Sequence, residues 1–111
     1  MPTTKLKNKR DEGGLLKKDL DAITRVLSRY SEVSEGILFG SRAKGNYEKA
    51  SDVDLCLKGK KLNSELLSQI HWELEEGTLI PYFFDVVHYE TLSNPDLKDH
   101  IDRVGVSIYK A

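Results

Sequence analysis

The sequence predicts an α+β fold, a small mixed sheet of three to four strands with helices packed on one face. Three observations predict it. Apolar residues recur at helical spacing in three stretches; short apolar runs of strand character lie between them; and glycine, asparagine and proline punctuate the boundaries. With 111 residues the chain supports one domain and one modest core.

The first dozen residues are polar and carry Lys5, Lys7, Lys9 and Arg10 ahead of Gly13 and Gly14. Residues 1–14 therefore read as a solvated basic tail and residues 15–111 as the domain. Leu16, Leu20, Ile23, Leu27 and Tyr30 then recur at steps of four and three, with Lys17, Lys18, Asp21 and Arg25 between them. That spacing predicts an amphipathic helix over 15–31.

"GILFG" at 36–40 and "DVDLCLK" at 52–58 read as strands, the first bounded by glycines and the second alternating. The segment between them reads as a loop. A helix is predicted over 63–76, with Asn63 as N-cap, Leu66, Leu67, Ile70 and Leu74 on one stripe, and Gly77 as its stop. "PYFFDVVHY" at 81–89 is apolar on both faces, which predicts a central strand. Asn94 and Pro95 open a helix over 95–104 with Leu97, Ile101 and Val104 as its stripe, and "VSIY" closes the chain as a short strand.

Charge balance narrows the function classes. Eighteen acidic side chains against 17 basic ones leave no field to draw nucleic acid or an anionic membrane; a nucleic-acid role would rest on the basic tail alone. No apolar stretch approaches the ~20 residues that cross a bilayer, and the amino-terminal stretch lacks the apolar core of a secretion signal, so the expected location is the cytoplasm. The single cysteine, Cys56, lies in an apolar run with no base beside it and reads as a buried, inert thiol.

The chemistry concentrates in "FGSRAKGNYEKASDVDL", residues 39–55. On a strand, Asp52 and Asp54 project from one face while Val53 and Leu55 enter the core. Two carboxylates held this close repel, and a hard divalent cation between them relieves the conflict. Asp85 interrupts an apolar strand, where an ionised carboxylate is costly unless it is paired or metal-bound. If its strand lies beside that of Asp54, three carboxylates converge as ligands for Mg²⁺ carrying a nucleotide's phosphates. Gly40 and Gly45 allow a tight backbone whose amides turn toward an anion; Ser41 adds a hydroxyl and Arg42 a fixed charge. Taken singly, "GSRAKG" is an ordinary turn, "DVD" a strand start with two solvated acids, and Asp85 as readily a paired structural acid. Their order and spacing together give them a common purpose.

The stretch "GSRAKGNYEKASDVDL" resembles the signature of the polymerase-beta-type nucleotidyltransferases, and most of all the minimal nucleotidyltransferases (MNT), antitoxin partners of helical HEPN toxins. Gly40, Ser41, Arg42, Ala43, Gly45, Ser51, Asp52, Asp54 and Leu55 match, and Asp85 stands where a third carboxylate is expected. The resemblance implies the polymerase-beta-type nucleotidyltransferase fold over 15–110. It implies that Asp52, Asp54 and Asp85 are catalytic and hold Mg²⁺, with Mn²⁺ as a substitute, and that Gly40, Ser41, Arg42, Gly45 and Ser51 bind the NTP. The reaction it implies moves AMP from ATP to an acceptor hydroxyl on a HEPN-type partner. Larger members grip the acceptor with a further helical domain, a role expected to fall here to that partner. The alternative is a non-catalytic antitoxin that neutralises its partner by occlusion.

His71, His88 and His100 show no metal-ligand spacing; His88, at the end of the Asp85 strand, is the one expected nearest the site. Trp72 and Tyr82 read as packing residues rather than base-stacking ones.

Overall fold

The computed structural model describes residues 13–45 and 51–111. The reading of the amino-terminal stretch as a basic tail lies outside the described residues, apart from Gly13 and Gly14. The order of elements is α1 (Lys17–Ser28), β1 (Glu35–Phe39), the short helix α2 (Gly40–Lys44), β2 (Val53–Lys58), α3 (Ser64–Glu76), β3 (Phe84–His88), a 3₁₀ turn (Tyr89–Thr91), α4 (Pro95–Val104) and β4 (Val106–Lys110). None of the described helices is long and apolar enough to cross a membrane.

Local chemistry starts the long helices where the sequence places them. The Asn63 side chain accepts from the Leu66 N–H at 2.8 Å, and Asn94 accepts from Asp96 and Leu97, with Pro95 at the first helical position. At α1 the Asp19 carboxylate reaches back to accept from the Leu16 N–H at 3.2 Å.

The four strands form one mixed sheet in the order β3-β2-β1-β4. β1 runs antiparallel to β2 and β4, while β2 and β3 are parallel and joined through α3. The strand predicted to be central is therefore an edge strand. It is apolar on both faces because both are covered: Phe84 packs with the α1 and α3 side, Val87 with the other. Its outer edge is sealed by side chains, since Glu75 Oε2 accepts from the Phe84 N–H at 2.7 Å and His71 Nε2 lies 2.9 Å from the Phe84 carbonyl oxygen.

The helices occupy both faces, which corrects the expectation of a single covered face. Leu38, Val53, Leu55 and Leu57 point toward α1 and α3, meeting Ile23, Leu27, Ile70 and Leu74 in the main core. Ile37, Phe39 and Cys56 point the opposite way and are covered by Ile101 and Leu97 of α4. "ILF" and "LCL" are apolar at successive positions, so neither face of the central strands can be left to solvent. Cys56 is buried, and burial pushes its thiol up to about 12, so it is inert as expected.

Candidate active site

β2 and β3 run parallel in a register that sets Asp54 directly opposite Asp85. Neighbouring strands lie about 4.8 Å apart, so the two carboxylates are held on one face as near neighbours. Asp52 comes one residue before β2 and is exposed; Asp54 is half-buried; Asp85 is exposed. The sequence argument from desolvation thus applies to Asp54 rather than to Asp85, whose edge strand leaves it open to solvent.

The Asp54 carboxyl is raised above its ordinary 3.8, first by burial, then by the negative charges of Asp85 and Asp52, with the Arg42 guanidinium pulling the other way. A carboxyl burdened by two like charges is one that a cation would relieve. The donors available are hard oxygens, which suits Mg²⁺ or Mn²⁺. Among the described residues, however, no three His, Cys, Asp or Glu side chains are gathered closely enough to hold a metal ion by themselves. The donor chemistry fits a divalent cation whose remaining ligands come from elsewhere, as phosphate oxygens would supply them.

The chain reaches the site along β1. Phe39 is the cross-strand partner of Asp54, and Gly40 follows at φ +75, a left-handed conformation that favours glycine. A Cβ at Gly40 would stand 2.1 Å from Asp54 Oδ2, so glycine is required there on two counts. The turn continues through the half-buried Ser41 into α2, and Gly45 ends that helix at φ +87.

Arg42 lies beside the site, held by backbone carbonyls and an aromatic ring. It is 2% exposed; its Nη1 donates to the Gly13 carbonyl at 2.7 Å, its Nη2 and Nε donate to the Ser51 carbonyl at 2.8 and 3.2 Å, and its guanidinium lies 4.3 Å from the centre of the Tyr82 ring. Where the motif suggests a phosphate ligand, the structure has a clamp fastening the segment before Asp52 to α2 and to Gly13. The Ser51 carbonyl serves that clamp. Tyr82 packs under it, as a packing residue should, while Trp72 is exposed.

His88 ends β3 three residues beyond Asp85, about 10 Å along the strand, where its Nε2 meets the Gly59 carbonyl and Glu90. The histidine that reaches the site is His100: its Nε2 accepts from the Gly40 N–H at 3.1 Å. Sequence spacing offers one signal for it, a position three residues after Leu97 and beside Ile101 on the buried stripe of α4.

The comparisons with known proteins agree with this fold. The family described as "Polymerase beta, Nucleotidyltransferase" matches residues 21–111. No curated protein matches the chain. Among solved structures, a toxin-antitoxin crystal structure with AMP-PNP is similar at a TM-score of 0.70 and 17% identity, over 83% of this chain and 73% of that one. A tri-AMPylated Shewanella oneidensis HEPN toxin in complex with MNT antitoxin is similar at 0.66 and 13%, over 86% and 72%. The toxin-antitoxin MntA-HepT is similar at 0.65 and 14%, over 86% and 73%. At such identities the likeness is one of fold. The family match spans most of the sequence and includes every carboxylate of the site, and the chain belongs to the polymerase beta nucleotidyltransferase family.

Proposed function

We propose that this protein transfers AMP from ATP to a hydroxyl on a HEPN-type helical partner, and that it thereby acts as that partner's antitoxin. The observation that carries the proposal is the in-register Asp54–Asp85 pair, with Asp52 beside it and the Gly40–Ser41 turn packed against Asp54. The similar solved complexes with AMP-PNP and with an AMPylated HEPN toxin support the choice of nucleotide and partner.

In this reading the acceptor oxygen forms a bond to the α-phosphorus of ATP, the bond from that phosphorus to the β-phosphate oxygen breaks, and pyrophosphate leaves. Asp52, Asp54 and Asp85 would hold Mg²⁺, or Mn²⁺ in its place, and the cation when bound neutralises charge on the phosphoryl oxygens. Asp85, the more open of the paired carboxylates, stands ready to take the acceptor's proton. The Gly40–Ser41 turn lets backbone approach the triphosphate closely, and the Ser41 hydroxyl donates to it. Gly45 ends α2, and Arg42 holds Ser51, the residue before Asp52, against that helix, which is the part they take in nucleotide binding.

The test is to mix the protein with its partner, ATP and Mg²⁺. The partner's mass should rise by one or more AMP units, and Ser41→Ala or Asp52→Asn should prevent the rise. Occlusion without transfer is the second reading, since a complex with a helical partner would serve it as well. Neutralisation that survives Asp52→Asn, with no mass gain on the partner of the wild-type protein, would decide for occlusion.

A further inference from the structure

We infer that His100 is a positioning residue of the nucleotide site: from α4 it holds the Gly40 backbone against Asp54 and so fixes the turn and the carboxylate relative to each other. Its importance for nucleotide binding rests on the nucleotidyl-transfer reading; the contact itself does not.

Gly40 has no side chain by which it could be held, yet it occupies a left-handed conformation with almost no clearance from Asp54. Its placement depends on backbone contacts. The His100 Nε2 supplies one, accepting the Gly40 N–H at 3.1 Å. In this contact Nε2 is the acceptor, which only a ring nitrogen without its hydrogen can be. The same ring stands edge-on to Phe39, with centroids 6.1 Å apart and planes at 78°. Phe39 is the cross-strand partner of Asp54, so one imidazole touches both residues that back this carboxylate.

The anchor is rigid. Ile101, the next residue, is buried with Ile37, Phe39 and Cys56, and Leu97, one turn earlier, packs on the same cluster. α4 thus presents His100 to the turn from a helix fixed to the sheet.

Two measurements on the purified protein test the inference: hydrogen exchange of the Gly40 amide followed by NMR without ligand, and affinity for ATP·Mn²⁺ by calorimetry. His100→Ala should speed Gly40 exchange and weaken ATP·Mn²⁺ binding, each by roughly 5- to 10-fold, the scale of one lost hydrogen bond. His100→Phe keeps a ring against Phe39 but cannot accept, and should behave like His100→Ala; it also serves if the alanine variant does not fold. His100→Gln places an oxygen near the Nε2 position and should restore both readouts to within about twofold. Leu97→Ala should lower thermal stability through the shared cluster while leaving Gly40 protected. Wild-type values of Gly40 protection in both His100→Ala and His100→Phe would overturn the inference, as would Leu97→Ala reproducing both losses. If the wild-type protein fails to bind ATP·Mn²⁺, the transfer reading falls, and Gly40 exchange alone then decides the positioning role.

Discussion

Asp54 gives up its proton less readily than a free aspartate because burial, Asp85 and Asp52 all disfavour its charge. Between the ordinary 3.8 and this raised value the folded state holds a proton that the unfolded chain has released. Stability of the metal-free protein should therefore fall as pH rises through that window, and the loss persists above it. Asp54→Asn should flatten this dependence and raise the melting temperature at neutral pH by roughly 2–4 °C, under about 1 kcal/mol because solvent screens a half-buried carboxylate. The same change should lower AMP transfer at least ~10³-fold, the scale of several kcal/mol of lost charge stabilisation. Thermal melts across pH in chelator, beside a transfer assay, check both; a variant less stable than wild type at neutral pH would contradict the electrostatic account. Gly40→Ala makes the opposite case. It meets an unfavourable φ and a collision with Asp54 Oδ2, so it should cost about 2 kcal/mol or more, read as a fall in denaturant midpoint.

The joint between α3 and β3 shows what can and cannot be read from sequence at the scale of elements. The start of α3 was legible because its signal is local, Asn63 capping the Leu66 amide, and Asn94–Pro95 announces α4 in the same way. The place of β3 in the sheet was not. Apolar residues on both faces of "FFDVVH" report that both faces are covered, and an edge strand between α3 and α4 meets that condition as well as a central one. The side of the sheet taken by α4 was likewise open, because an apolar stripe says that a helix packs and not where. What makes an edge position tolerable is the pair His71 and Glu75, one turn apart on α3, which satisfy both outward groups of Phe84. Glu75→Ala should leave the Phe84 N–H without its acceptor and cost about 1–3 kcal/mol, with faster amide exchange confined at first to β3. Ser68→Ala, on the exposed side of α3, should stay within about 0.5 kcal/mol. Equal effects of the two changes in chemical denaturation would remove the edge-sealing role.

Across the whole molecule, the site draws on four separate pieces: the β1–α2 turn with Gly40 and Ser41, β2 with Asp54 and the preceding Asp52, β3 with Asp85, and α4 with His100. The first two were legible together because they lie within one contiguous motif. Asp85 stood out as a charge in an apolar run, but its pairing with Asp54 depends on a strand register that tertiary structure sets. The inward turn of Arg42 depends on contacts with a distant segment, for which a single sequence holds no pattern, and for His100 the stripe of α4 shows that it faces the sheet but not that it meets Gly40. A ligand that joins these pieces should show itself in global stability. The carboxylates alone do not form a complete cage, so Mg²⁺ without nucleotide should raise the melting temperature by no more than about 2 °C. ATP with Mg²⁺ at 100 times its Kd should add about 2.7 kcal/mol, which for a domain near 100 residues is a rise of roughly 10 °C or more. Asp52→Asn and Asp85→Asn should each remove most of that rise while leaving the ligand-free melting temperature near that of wild type, because both carboxylates are exposed. A full shift from ATP in chelator would show that the nucleotide binds without engaging the carboxylates, and a full shift from Mg²⁺ alone would show a complete metal site; either result would overturn the joint site described for Asp52, Asp54 and Asp85.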